Sequence, residues 1–246
     1  MRYSKEFFDL QIRFAQTVAN AIDVPLEQAL LEYTNLYIRF GLGRAFDRDH
    51  PAWRRYIDGL SKAANIGDWT YRFFLGQSQQ SQDTQPPSLV ATFGCFSYAR
   101  HDAGCIRIHF HNAETLAISP LSVQRLAARL QELRLLFRHV RRTQHGAERV
   151  AGVSWLYNVD AYRRCFPEEY LASAKVAESR FRNMPLWGQF LDRHGAIREV
   201  IVQEFTRRLS QATNIDALAH SFPLQALAVE APIAQFYRFY GIENDR

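Results

Sequence analysis

This chain of 246 residues holds three cysteines, twelve glycines and very little lysine. Cys95, Cys105 and Cys165 are odd in number and follow no ligand spacing, which argues against a disulfide framework and against a cysteine zinc site. The glycines form no Walker loop and no dinucleotide-binding fingerprint, and neither a nucleophile elbow, a His-Glu-x-x-His pair nor a kinase signature occurs. No apolar run reaches the roughly eighteen residues of a transmembrane helix. The opening MRYSKEFFDLQIRFAQ meets a charge every few residues and lacks the apolar stretch of a signal peptide. The expectation is a soluble, cytoplasmic protein without a membrane partner.

Lysine is confined to Lys5, Lys62 and Lys175, so arginine carries nearly all of the formal net charge of +5. Guanidinium groups favour fixed, bidentate contacts with carboxylates and phosphates. Such a balance suits a nucleotide, a coenzyme, an acidic carrier protein or nucleic acid, and equally an ordinary solvated surface. Hydrophobic residues make up 47% and aromatics 13%, ample for a large core.

Patterning divides the chain into a helical subdomain over 1–76, a linker or exposed loop over 77–87, and a mixed α/β domain over 88–246. In the first part Phe7, Phe8, Ile12, Ala15 and Val18 recur at helical spacing. A second helix, LEQALLEYTNLYIRF, follows Pro25 and runs to the Gly41-Leu42-Gly43 breaker, and Asp49-His50-Pro51 opens a third. The Gln/Ser-rich, Pro-ended segment after residue 76 cannot bury enough apolar surface to order itself.

From Ser88 to Asn158 the order is strand, tight turn, strand, long helix, strand. With a two-residue turn at Asp102-Ala103, cross-strand pairs sum to about 205. That register sets Ile106, Ile108 and Phe110 beside Cys95, Ser97 and Ala99. It leaves Arg107, His109 and His111 on the other face with Phe96, Tyr98 and Arg100. A long helix follows from Ser119-Pro120, with Leu126, Leu130, Leu133, Phe137 and Val140 inward and its arginines mostly outward. A strand RVAGVSWLYN comes next, then a helix holding AYRRCF. Beyond it Lys175–Phe181 reads as a strand, AIREVIVQEFTRRLSQA as a helix, PLQALAVE as a strand and PIAQFYRFY as a last helix. The fold class is therefore α+β: a helical N-terminal subdomain, then a mixed, mainly antiparallel sheet flanked by helices.

His109 and His111 form the candidate catalytic pair, since two imidazoles two residues apart on a strand share a face. They suit acid/base work or, with a third ligand, a metal; no metal set is assigned. Arg107 and Tyr98 on that face, with Ser154, Trp155, Tyr157 and Asn158 at the next strand's end, are the candidate substrate-binding residues. Trp155 and Tyr157 fit a core role equally well.

HFHNAETLAISPLSVQRLAARLQELRLLF followed by VSWLYNVDAYRRCFPEEYLASAKVAESRF resembles the central part of the GNAT superfamily of N-acyltransferases, in particular bacterial members with a helical N-terminal domain. The resemblance covers about a third of the chain, through His109 or His111, Pro120, Ser154, Trp155 and Leu156. It implies a GNAT-like sheet whose central strands splay around an acyl thioester, and acyl transfer to an amine or hydroxyl on a small-molecule substrate. The family's Gly-rich pyrophosphate loop is replaced here by AETLAISPLS, without glycine. The donor implied is thus coenzyme A or an acidic acyl-carrier protein, with the former put in question. The alternative is a non-catalytic binding module for nucleic acid or a protein partner.

Overall fold

A computed structural model describes residues 3–77, 89–114, 118–177 and 184–242. It is an α+β protein whose described residues fall into two units. One joins the N-terminal helices to residues 184–224, and the other joins 89–177 to 225–242.

In the first unit α1 (Lys5–Ile22) buries Phe7, Phe8, Ile12, Ala15 and Val18, the stripe its spacing predicts, and ends at Asp23 in a left-handed conformation. The single helix expected over 26–40 is broken into α2 (Leu26–Tyr33) and α3 (Leu36–Arg39). Thr34 is extended at the break, and the buried Gln11 side chain accepts the Asn35 N–H at 2.9 Å. A long-range acceptor thus satisfies a donor that helix continuation would have used. His50 caps α4 (Pro51–Leu60) by accepting the Ala52 N–H, with Pro51 in the first turn. α5 (Ile66–Gln77) packs Phe73 against Tyr56 and Phe40.

Patterning alone places the segment after 183 in the sheet domain, yet it completes this helical core. Trp187 is fully buried, its ring 5.7 Å from Phe14 and 5.2 Å from Phe222, and its Nε1 donates to the Tyr33 carbonyl at 3.2 Å. Phe205, on α9 (Glu199–Gln211), closes on Phe14 as well. The aromatics of the two segments thus pool in one core. Leu218 of α10 (Ile215–Ala219) is also buried. The expected domain over 88–246 is therefore interrupted. Of the expected linker 77–87, all but Gln77 lies outside the described residues.

The second unit carries one six-stranded sheet: β1 (Leu89–Phe93), β2 (Phe96–Asp102), β3 (Cys105–Phe110), β4 (Arg149–Ser154), β5 (Lys175–Val176) and β6 (Leu227–Pro232), in the order β1-β2-β3-β4-β6-β5. Every pairing is antiparallel except β3 with β4. α6 (Leu126–Thr143) connects those two. It starts later than expected, after a 3₁₀ turn over Val123–Arg125. Leu133, Leu136, Phe137 and Val140 of α6 pack on the sheet face that carries Phe96, Tyr98, Ile106, Ile108 and Val150. α7 (Asp160–Arg163), α8 (Glu168–Ala172) and α11 (Ile233–Phe239) add Tyr162, Tyr170 and Phe236 to the same core. Of the strand expected over 175–181, only the two residues of β5 form; 178–181 lie outside the described residues.

Candidate functional site

The β2–β3 hairpin fixes which side chains share a face, and it corrects the expected register. The turn is Ala103-Gly104, with Gly104 at φ +73°, and Asp102 pairs with Cys105. An irregularity between Arg100 and Asp102 then shifts the ladder, so that Arg100 pairs with Ile106, Tyr98 with Ile108 and Phe96 with Phe110. This bulge brings the apolar residues of both strands onto one face, which a sum of 205 would have separated. Tyr98 is consequently buried in the core, opposite the face of Arg107 and His109. It does not share their site.

His109 pairs with Ser97 and Arg107 with Ala99, both half-buried on the face turned away from α6. Arg107 Nη2 lies 2.6 Å from His101 Nε2. His111 follows the end of β3, exposed, with its backbone N–H donating to the Cys95 carbonyl at 2.9 Å. Three cavities stand out among the described residues, and neither histidine lines any of them.

The parallel seam is short. β3 and β4 pair through Cys105–Arg149, Ile106–Val150 and Arg107–Ala151. Both strands run on, to Phe110 and Ser154, and among the described residues 108–110 and 152–154 do not pair across the seam. Each keeps its outer neighbour, Phe96–Tyr98 on one side and Leu227–Val229 on the other. The inner strand edges are thus unpaired with each other from Ile108 and Gly152 onward, and His109 sits in this parted stretch.

Aromatic rings floor this parting on the core side. A Cβ on Gly152 would lie 2.1 Å from the Tyr157 hydroxyl and 2.5 Å from that of Tyr170. Those hydroxyls bond each other at 2.9 Å. Burial pushes the Tyr157 phenol up to about 12 and raises Tyr170 as well, so both hold their protons at neutral pH. Tyr157 is accordingly a core residue. The segment before it is held by its own hydrogen bonds: the Ser154 hydroxyl accepts the Leu156 N–H, and the Asn158 amide donates to the carbonyls of Trp155 and Gln225, each at 2.8 Å. The strand expected through Asn158 ends at Ser154, and Trp155–Asn158 is a 3₁₀ turn with Trp155 half-buried. The Ser154 hydroxyl and the Asn158 amide are thus engaged in bonds within the chain.

A buried polar cluster lies at the start of α6, whose pattern places its arginines mostly outward. The Arg129 side chain is 1% exposed. Its Nη1 donates to Cys95 Sγ at 2.9 Å, and its Nη2 donates to Glu114 at 2.7 Å and to Glu132 at 2.5 Å. Arg125 also bonds Glu114, and Glu132 accepts the Cys95 N–H at 3.0 Å. Arg125, and then Arg129, hold the Glu114 carboxyl below the usual carboxylate range, while burial pushes the Cys95 thiol up. Cys95, Glu114 and Glu132 offer ligand atoms within 4.8 Å of one another. The guanidinium already bonds all three, so the charge of the two carboxylates is met by arginine. The sequence held one sign of this: Arg129, Leu133 and Phe137 follow at four-residue steps, on the buried stripe.

No known protein family, curated protein or solved structure matches the chain.

Proposed function

We propose that the sheet-bearing unit is a GNAT-like acyltransferase that moves an acyl group from a thioester to an amine or hydroxyl. The observation that carries this reading is the parting of β3 and β4, the one parallel pair among the described strands, in a sheet of order β1-β2-β3-β4-β6-β5. Parted parallel strands expose two rows of backbone N–H and C=O groups, which an extended, amide-bearing thioester arm can join as a surrogate strand. An N–H of that edge, pointed at the thioester carbonyl, stabilises the oxyanion that forms on attack.

His109 is the candidate base, because it lies in the parted stretch; His111 lies past the strand end. The acceptor's nitrogen or oxygen attacks the carbonyl, His109 takes its proton, the C–S bond breaks, and the leaving thiolate regains a proton. Arg107, on the same strand face, supplies positive charge beside that path.

The test is turnover of acetyl-pantetheine and acetyl-coenzyme A by the full chain, followed by thiol release with a panel of amines. His109→Ala is expected to lower turnover roughly 100- to 10,000-fold while the fold is kept, and His111→Ala to leave most of it. Turnover that persists unchanged in both variants removes the reading.

A further inference from the structure

We propose that the solvent face of α6 docks a small acidic helical carrier protein that delivers the acyl thioester, an inference resting on the acyl-transfer reading above. Val123 and Leu135 are 70% and 42% exposed. Ala127 and Gln131, also exposed, stand between them at four-residue steps, so the four line one side of the 3₁₀ turn and helix. The stripe leads to the exposed Arg142, with Arg134 half-buried beside it.

Within α6 five arginines accompany a single acidic residue, Glu132, and that residue is turned inward onto Arg129 and the Cys95 N–H. Arg134 and Arg141 donate to the carbonyls of Gly241 and Ile242, contacts that cancel no charge. The outer face therefore carries two exposed apolar side chains, Val123 and Leu135, and is positive towards its C-terminal end. An acidic amphipathic helix is its complement in both respects. A phosphate backbone would use the arginines and leave Val123 and Leu135 without a partner.

Position agrees with the role. A helix linking two parallel strands runs antiparallel to them, so the Val123 end lies at the end of the sheet where β3 and β4 part. The start of α6 is also poorly suited to a nucleotide's pyrophosphate. Arg125 and Arg129, the two cations there, are both committed to Glu114. A carrier that brings its own protein surface needs no such anion seat.

The probe is an acidic acyl-carrier protein in its holo form, acetylated, titrated calorimetrically into the full chain at low and moderate salt. Circular dichroism verifies that the variants fold. Leu135→Glu and Arg142→Glu are each expected to weaken binding at least tenfold and to leave turnover of free acetyl-pantetheine unchanged. Equal carrier binding by wild type and both variants overturns the proposal, as does absence of binding by the wild type or displacement of the carrier by duplex DNA. Carrier binding without turnover of any thioester removes the acyl-transfer reading and keeps the docking face. Turnover without carrier binding does the reverse.

Discussion

Replacing Gly152 by alanine puts a methyl group where two tyrosine hydroxyls meet, at the point where β3 and β4 part. The new Cβ would lie 2.1 Å from Tyr157 Oη, 2.9 Å from Tyr157 Cζ and 2.5 Å from Tyr170 Oη. Neither ring is free to swing away: Tyr157 packs on Tyr162 at 5.2 Å and Tyr170 on Phe236 at 4.9 Å, all buried. Overpacking of this kind costs about 1–3 kcal/mol. Prying the hydroxyls apart forfeits a buried hydrogen bond of about 1 kcal/mol. Loss of glycine's freedom in the unfolded chain returns about 0.5–1 kcal/mol. The net expectation is a destabilisation of about 1–3.5 kcal/mol, read as a lower urea midpoint at unchanged slope. Tyr157→Phe in the Gly152→Ala background should recover part of it, by removing the nearest atom while Cζ and the Tyr170 hydroxyl stay close. If Gly152→Ala is as stable as the wild type, or Tyr157→Phe only adds to the damage, the packing argument is wrong.

Arg129→Met leaves Glu114, Glu132 and the Cys95 thiol without their shared donor, and should cost about 3–5 kcal/mol in urea denaturation. Adding Glu114→Gln and Glu132→Gln should restore a good part of that loss, and failure to do so would show that Arg129 acts through packing alone. Arg207 and then Arg208 hold the Glu204 carboxyl down to about 2, from an ordinary 4.5. A depressed carboxyl contributes its stabilisation above about 4.5 and loses it as pH falls towards 2. Carbon-detected NMR titration should place the Glu204 midpoint near the lower value and move it upward in Arg207→Gln; a midpoint near 4.5 in the wild type refutes the pairing.

Local patterning was enough for several of the elements. The α1 stripe, the proline-opened α4, the hairpin, the helix after it and the final strand–helix pair are all legible in the sequence, because 3.6-residue and two-residue periods need only neighbouring side chains. Where a donor's partner lies far along the chain, the pattern fails: the break at Thr34-Asn35 depends on Gln11, and the inward turn of Arg129 depends on Glu114.

The candidate site divides in the same way. His109 and Arg107 share a strand face by period alone, whereas the exclusion of Tyr98 from that face depends on a bulge near His101 that only the packed core selects.

The sequence by itself determined the composition of a large apolar core, the order of helices and strands, and the residue types from which a site can be built. Tertiary structure decided which distant segments pool one core, which register the hairpin takes, and where the parallel strands stop pairing. Those are choices among long-range partners of similar local merit, and only the simultaneous burial of Trp187, Phe96 and Tyr157 separates them.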